Sequence, residues 1–378
     1  MEVVSAYRFY MYDLARELAK SGALKQLHTA LPSRLIPEVS HRLVRSRPVL
    51  AGLRHLLGRT SPQVDAFLTR AVYADFDRWT ARGLRGASVV TALSACATAT
   101  LRRASANGAK TVCDRGSSHI LDQKAVLDEE SEKWSLPGPS FDNWLIDREL
   151  QDYESADRII VPSTASAQSF FRRGFDSHRV RVVPFGADLQ LFAPTSHRPS
   201  HNMEIVCVGH IGLRKGQQYL IGAYRRVRRR GTSLRLVGVV DRRLLQRLRV
   251  VEDDIRVVGP VPRSDVPREM RRASIFALAS VEEGLALVIP QAMSCGLPII
   301  ATEATGASDI VDHGVEGLVV PTGDEDALAE ALERLLDNPD EALEMGRAAR
   351  TKMESFGGWQ AYGQRSLKEF TELARAQV

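Results

Sequence analysis

Along residues 1–190 short runs of β-branched and aliphatic residues alternate with longer stretches whose apolar positions recur at helical spacing, and the alternation resumes after residue 203. A short apolar run bounded by Gly, Pro or a polar cluster predicts a buried strand, and strand–helix alternation predicts parallel sheets. In the first half the strands are expected at Glu2 to Ser5, Leu27 to Ala30, Val89 to Ala92, Thr111 to Cys113, Arg158 to Val161 and Val180 to Val183, with helices such as Tyr12 to Ser21 and Asn143 to Ser155 between them. In the second half they are expected at Glu204 to Val208, Leu234 to Val237, Ile255 to Val258, Ile275 to Leu278, Ile299 to Ala301 and Gly317 to Val320. Phe192 to Asn202, with two prolines, two serines and two histidines and little periodicity, reads as the linker. After Val320 the pattern is helical only: Asp324 caps a segment whose Ala327, Leu328, Ala331, Leu332 and Leu335 share one face, and a last helix runs from about Trp359. The expected fold class is α/β, with two doubly wound Rossmann-like domains facing each other across a cleft. Ligands of such sheets bind beyond the carboxyl ends of the strands, so the cleft is the expected site.

Composition narrows this further. A chain of 378 residues, 44% hydrophobic and 26% charged, is long enough for two cores and is ordinary globular material rather than a disordered or fibrous one. No apolar run approaches the roughly 18 residues of a membrane span, and Asp13 and Glu17 interrupt the amphipathic start, so neither a signal peptide nor a span is expected. Cys96, Cys113, Cys207 and Cys295 lack metal-type spacing, and reduced buried thiols in a cytoplasmic protein are the simplest reading. Residues 1–60 carry ten Lys and Arg against four Asp and Glu. The segment around Arg34, Arg42, Arg45, Arg47, Arg54 and Arg59 mixes cations with aliphatic residues, which suits either peripheral contact with an anionic membrane, at the inner face of the cell membrane, or a solvated basic face on core-packed helices. No nucleic-acid partner is expected.

Two segments carry chemistry. After the strand ending at Val208 comes Gly209-His210-Ile211-Gly212-Leu213-Arg214-Lys215-Gly216, a glycine turn with two adjacent cations at a helix start. Such a turn suits a diphosphate, because glycine lets the backbone approach and the cations supply charge. Its spacing is neither that of a dinucleotide fingerprint nor that of a P-loop. The second segment runs from Ser280-Val281-Glu282-Glu283-Gly284-Leu285-Ala286-Leu287 to Val288-Ile289-Pro290-Gln291-Ala292-Met293, and crosses a glycine turn into a short helix entered at Pro290.

Together these segments resemble the family 4 retaining glycosyltransferases of GT-B fold, in which one Glu precedes a second by eight positions. Glu283 matches the first, and Gln291 stands where the second is usually an acid. The resemblance extends to Val257-Val258-Gly259-Pro260-Val261, to Gly306-Ala307-Ser308-Asp309 and Gly314 to Pro321, and to Glu149, Tyr153, Val161-Pro162-Ser163 and Pro184 to Asp188. It implies an acceptor-side domain over residues 1–190, a nucleotide-sugar domain over 203–354, and a C-terminal helix over 355–378 packing back toward the first domain. Glu283 and His119 would be the catalytic residues, the former contacting the donor sugar. Gly209, Arg214, Lys215, Val261, Gly284, Leu285, Ala286, Leu287 and Gln291 would complete the donor site, with Val261 by the base and Gln291 by the ribose. A glutamine there accepts a neutral hydrogen bond in place of a charge-assisted one. His119, after a strand end in Arg115-Gly116-Ser117-Ser118-His119, either reaches a sugar hydroxyl from across the cleft or caps the following helix.

The implied activity is retaining, metal-independent transfer of a sugar from a nucleotide diphosphate sugar, a co-substrate rather than a cofactor, to a hydroxyl acceptor in cell-surface polysaccharide or glycolipid synthesis. A sugar-nucleotide epimerase and a non-catalytic nucleotide-sugar-binding protein are the alternatives. Asp324-Glu325-Asp326 has the spacing of a metal-binding acid pair but opens a helix, where carboxylates cap N–H groups. Arg225, Arg226, Arg228, Arg229 and Arg230 end the helix after the glycine turn and read as a solvated face.

Overall fold

The computed structural model describes residues 1–57, 61–138, 141–195 and 203–376. Strands form where aliphatic and β-branched residues cluster, and most are buried along their whole length, as strands covered by helices on both faces must be. Among the described residues, β1 (Glu2–Val4), β2 (Gln26–Thr29), β3 (Val44–Ser46), β4 (Val89–Leu93), β5 (Lys110–Asp114), β6 (Arg158–Val161) and β7 (Val180–Val182) make one sheet. Its order is β3-β2-β1-β4-β5-β6-β7 and every pairing is parallel, with Val3 opposite both Leu27 and Thr91. The second sheet holds β8 (Met203–Val208), β9 (Thr232–Val237), β10 (Ile255–Gly259), β11 (Ile275–Leu278), β12 (Ile299–Thr302) and β13 (Gly317–Val320). Its order is β10-β9-β8-β11-β12-β13, again parallel throughout.

In both sheets the winding reverses beside the first strand, between β1 and β4 and between β8 and β11. Loops leaving neighbouring strands diverge at such a point and open a crevice. The loops concerned are those after Val4 and Leu93 in one domain and those after Val208 and Leu278 in the other.

Each strand expected from the sequence is present, within a residue or two at its ends. Edge strand β3 was not legible, because Val44-Arg45-Ser46 is three residues long, half-buried and carries a cation at its centre. The basic segment that follows folds into two helices, Val49–Leu57 and Pro62–Arg82. Arg59, and residues 196–202 of the linker, lie outside the described residues.

Beyond Val320 the chain is helical, in Glu325–Asp337, Pro339–Phe356 and Gly358–Arg375. The last of these turns at Gly357-Gly358 and lies on the helix Tyr10–Lys20 of the first domain. Tyr10, Phe185, Trp359 and Tyr362 interlock there, with ring centroids 4.3 Å apart for Tyr10 and Phe185 and 5.5 Å for Trp359 and Tyr362. Arg158 donates to the Glu369 carboxylate at 2.9 Å, and Arg365 to the Pro184 carbonyl at 3.1 Å. Aromatic burial of this kind, with charged groups at its edge, ties the end of the chain to its beginning.

The arginines ending the helix Gln217–Val227 form the solvated face expected from sequence, with Arg226, Arg228, Arg229 and Arg230 exposed. At that surface Arg225 pairs with Glu252, Arg226 with Asp326, Arg228 with Asp254 and Arg229 with Asp337. Asp324 caps its helix by accepting from the Ala327 N–H at 2.9 Å.

Candidate active site

The two crevices face each other. After β8, the chain runs through Gly209 to Gly212, makes a single 3-10 turn at Leu213–Lys215 and enters the helix Gln217–Val227. Gly216 has φ +70° and lies so close to the Ala279 carbonyl that a Cβ would collide with it, so only glycine fits this turn. The fully buried Gln217 side chain accepts from the Gly212 N–H at 3.0 Å, and the Arg214 carbonyl accepts from the Val281 N–H at 2.9 Å, locking the turn to the loop after β11.

That second loop brings Glu282 and Glu283 to the two cations. Arg214 Nη1 lies 3.1 Å from Glu282 Oε2 and 3.2 Å from Glu283 Oε2, while Lys215 Nζ pairs with Glu283 Oε1. Burial works to lower the Arg214 pKa, but Glu283 and Glu282 outweigh it and raise the value, so the guanidinium stays charged.

Glu282, only 4% exposed, is also the main clasp between the domains. Its Oε1 accepts from the Ser117 and Ser118 hydroxyls at 2.6 and 2.7 Å, and its Oε2 accepts from Gln123 Nε2 at 2.7 Å. Burial pushes its pKa up, yet Arg214 and these hydrogen bonds prevail and hold the carboxyl below its usual value. Beside it the backbones nearly touch. A Cβ at Gly284 would collide with the Gly116 carbonyl, and the Gly284 carbonyl accepts from the Ser163 hydroxyl at 2.6 Å. A second clasp forms at the far end of the helix Ile120–Trp134, where Glu130 accepts from Gln218 at 2.7 Å and from Tyr219 at 3.0 Å.

The cavity enclosed between these lips has a volume of about 410 Å³. Arg214, Lys215, Glu283, Leu285 and Leu287 line it from the second domain, and Phe9, Tyr73, Arg115, Gln123 and Glu149 from the first. Arg115 is fixed by Glu149 at 2.9 Å, by Gln123 at 2.8 Å and by the Ser118 carbonyl at 3.0 Å. Three cations therefore converge on one small volume, each already met by a carboxylate.

Of the residues expected at the site, Gly209 lies behind Lys215, Gly284 forms the interdomain contact and Ala286 is held by its N–H to the Thr305 carbonyl at 3.0 Å. Val261, past the end of β10, and Gln291, on the helix Val288–Ser294, lie outside the lining of this cavity. That helix begins at Val288, two residues before the proline expected to open it.

Of the two roles expected for His119, the structure shows the helix cap. The residue is 2% exposed, its Nδ1 accepts from the Leu121 N–H at 3.3 Å, and its ring packs 5.1 Å from Tyr153 and 5.0 Å from Phe170. It caps the helix and is not among the cavity-lining residues. Burial, aided by Arg173, pushes its pKa down to about 4, so the ring is neutral at pH 7 and suited to accepting that N–H. The residues the sequence reading passed over are Ser117, Ser118 and Gln123, from the loop and helix around His119, and Glu282, read only as the neighbour of Glu283.

Residues 202–338 match the family model described as Glycosyl transferases group 1. The chain is 30% identical over 254 residues to a D-inositol 3-phosphate glycosyltransferase of Corynebacterium jeikeium, covering 60% of each. It is 31% identical over 209 residues to a GDP-mannose-dependent alpha-(1-6)-phosphatidylinositol monomannoside mannosyltransferase of Mycobacterium tuberculosis, covering 52% of this chain and 53% of that one. The chain thus spans less than two thirds of the length of these curated relatives. Two solved structures share the whole architecture: Anabaena HepE in complex with UDP and glucose (TM-score 0.70, 18% identity, 98% of this chain and 99% of that one) and sucrose-phosphate synthase from Thermosynechococcus elongatus (TM-score 0.71, 21% identity, 100% and 99%). Two facing parallel sheets give this chain the fold of those two structures, and its residues 202–338 are similar to the glycosyl transferases group 1.

Proposed function

We propose that the protein is a retaining glycosyltransferase that moves a sugar from a nucleotide diphosphate sugar to a hydroxyl acceptor in glycolipid or cell-surface polysaccharide synthesis, without a metal ion. The observation that carries this reading is the convergence of Arg214, Lys215 and Arg115 on a cavity at the carboxyl ends of both sheets. The chemical task is departure of a nucleoside diphosphate from an anomeric carbon that becomes oxocarbenium-like, and stabilising the leaving group is the main contribution a protein makes to it.

Glu282 and Glu283 sit on the cations that a diphosphate would use. A bound diphosphate displaces Glu283 from Lys215 and Arg214, and the freed carboxylate then accepts from hydroxyls of the donor sugar. Leu285, Ala286 and Leu287 present backbone to that sugar, Gly209 admits the diphosphate, and Gln291 and Val261 lie further out, for ribose and base. The acceptor hydroxyl attacks on the face the leaving group vacates and passes its proton to the departing diphosphate oxygen, so no protein nucleophile is needed. His119 supports the loop rather than the sugar.

The acceptor side is the first domain, on the cytoplasmic side of the cell membrane. No helix of the described residues is long and apolar enough to cross a membrane. Much of the N-terminal positive charge is matched locally, Arg8 by Glu38, Arg47 by Asp75 and Arg54 by Asp65, which favours the solvated basic face over anionic-membrane contact.

The test is a thermal-shift screen against UDP, GDP, ADP and their sugar conjugates in EDTA, followed by NMR assignment of the product's anomeric configuration. Stabilisation by one nucleotide series and a product of retained configuration would support the reading. A folded sample shifted by none of them, or a donor turned over only with added divalent metal, would overturn it.

A further inference from the structure

A second concavity lies in the first domain, outside the cleft. It encloses about 610 Å³ and is lined mostly by apolar side chains, Tyr7, Leu31, Pro32, Leu35, Pro48 and Ala51, together with Gly52, Arg54, His55 and Asp65. Tyr7 follows β1, Leu31 and Pro32 follow β2, and Pro48 follows β3. The groove therefore stands at the carboxyl edge of the same sheet whose β1–β4 crevice forms the acceptor half of the cleft. The two spaces share a wall, since the Tyr7 ring of the groove packs edge-on against the Tyr73 ring of the cleft, with centroids 6.0 Å apart.

Its chemistry is apolar. Arg54 spends its charge on Asp65 through two hydrogen bonds at 2.9 and 3.0 Å, so the charged edge offers a satisfied pair rather than a cation seeking an anion. Leu35, in the groove lining, is 51% exposed, and apolar surface left to water in a concavity marks a binding surface. A concave groove that continues a substrate cleft suits a slender apolar chain.

We infer that this groove holds the alkyl arm of the acceptor, and that the acceptor is an amphiphile whose hydroxyl-bearing head enters the cleft past Tyr7 and Tyr73. The inference rests on the acceptor side of the proposed transfer reaction and names its substrate class. Each methylene that leaves water for the groove should tighten binding about fourfold.

The test is calorimetric binding of n-alkyl β-glucosides, methyl to octyl and below their micellar concentrations, to the full chain, with nucleotide thermal shifts measured on the same preparation. Affinity should climb with chain length and level off once the groove is full. Gly52→Phe should flatten that climb. Gly52 sits in the helix Val49–Leu57, where a Cβ would meet no described atom within 4 Å, so the larger residue is tolerated by the backbone and projects into the groove. Leu35→Glu, at an exposed position, should flatten it too and serves if Gly52→Phe folds poorly. No dependence on chain length, or an unchanged slope in the folded variants, would overturn the inference. So would dimerisation of the wild type that Leu35→Glu abolishes, or binding to anionic vesicles without binding of monomeric glucosides. Nucleotide shifts with no chain-length dependence would defeat the groove and leave the donor reading standing. Chain-length dependence without any nucleotide shift would do the reverse.

Discussion

The two lips of the cleft come from sheets wound the same way, yet they meet solvent differently. On the second-domain lip every cation is held: Arg214 by both Glu282 and Glu283, and Lys215 by Glu283. Beyond the cleft on the first-domain side, a groove lined by Tyr7, Leu31, Pro32 and Leu35 presents apolar surface to water, with Leu35 51% exposed. The contrast follows from what each kind of surface costs. A buried charge without a partner is expensive, so each cation of this lip is met by a carboxylate, whereas exposed apolar surface costs a modest amount per unit area.

The most damaging way to break this arrangement is to remove both cations. Arg214→Ala combined with Lys215→Ala should abolish the nucleotide-dependent thermal shift and lower kcat/KM by ~10³-fold or more, read from initial rates with the preferred donor. Near-normal turnover would end the phosphate-clamp assignment.

Glu282→Ala attacks the clasp rather than the clamp. It leaves Arg214, Ser117, Ser118 and Gln123 without their shared acceptor, and should lower stability by about 3 kcal/mol in urea unfolding. X-ray scattering should show a larger radius of gyration as the domains part. An unchanged radius with unchanged stability would mean the clasp holds nothing.

Glu283→Gln sharpens the comparison because it should move two readouts in opposite directions. With the stand-in charge gone, the free nucleoside diphosphate should bind several times more tightly by calorimetry. Turnover should fall by ~10²-fold as the contact to the sugar weakens. Weaker nucleotide binding would show that Glu283 does not compete for the diphosphate site.

Smaller effects are expected further from the cations. His119→Ala should cost about 1 kcal/mol as a lost helix cap, with His119→Asn retaining most of that and neither changing kcat much. Because burial depresses the folded-state pKa of His119 to about 4, the unfolded chain takes up its proton first. The stability this histidine contributes is therefore lost as pH falls from the ordinary histidine value toward 4. The difference between wild type and His119→Asn in denaturation midpoint should open over that window. Gln291→Ala, outside the cavity, should raise donor KM by roughly fivefold with little change in kcat, as loss of one neutral hydrogen bond would.

Strand–helix alternation and the two glycine-containing loops after the strands ending at Val208 and Leu278 were determined by the sequence alone. Periodicity is local, and Gly216 and the acids at 282 and 283 sit within a few residues of the strand ends that place them. Local pattern could not separate roles that depend on the partner across the cleft. Glu282 and Glu283 are adjacent and chemically identical. Only packing of the domains gives one to Ser117, Ser118 and Gln123, 159 to 165 positions away in the chain, and leaves the other on Lys215. Tertiary structure likewise turned His119 into the aromatic cluster of Tyr153 and Phe170, paired the arginines after residue 224 with acids on other elements, and set Tyr7, Leu31 and Pro48 from three separate strands around one groove. Each of these depends on long-range contacts, whose partners no run of neighbouring residues specifies.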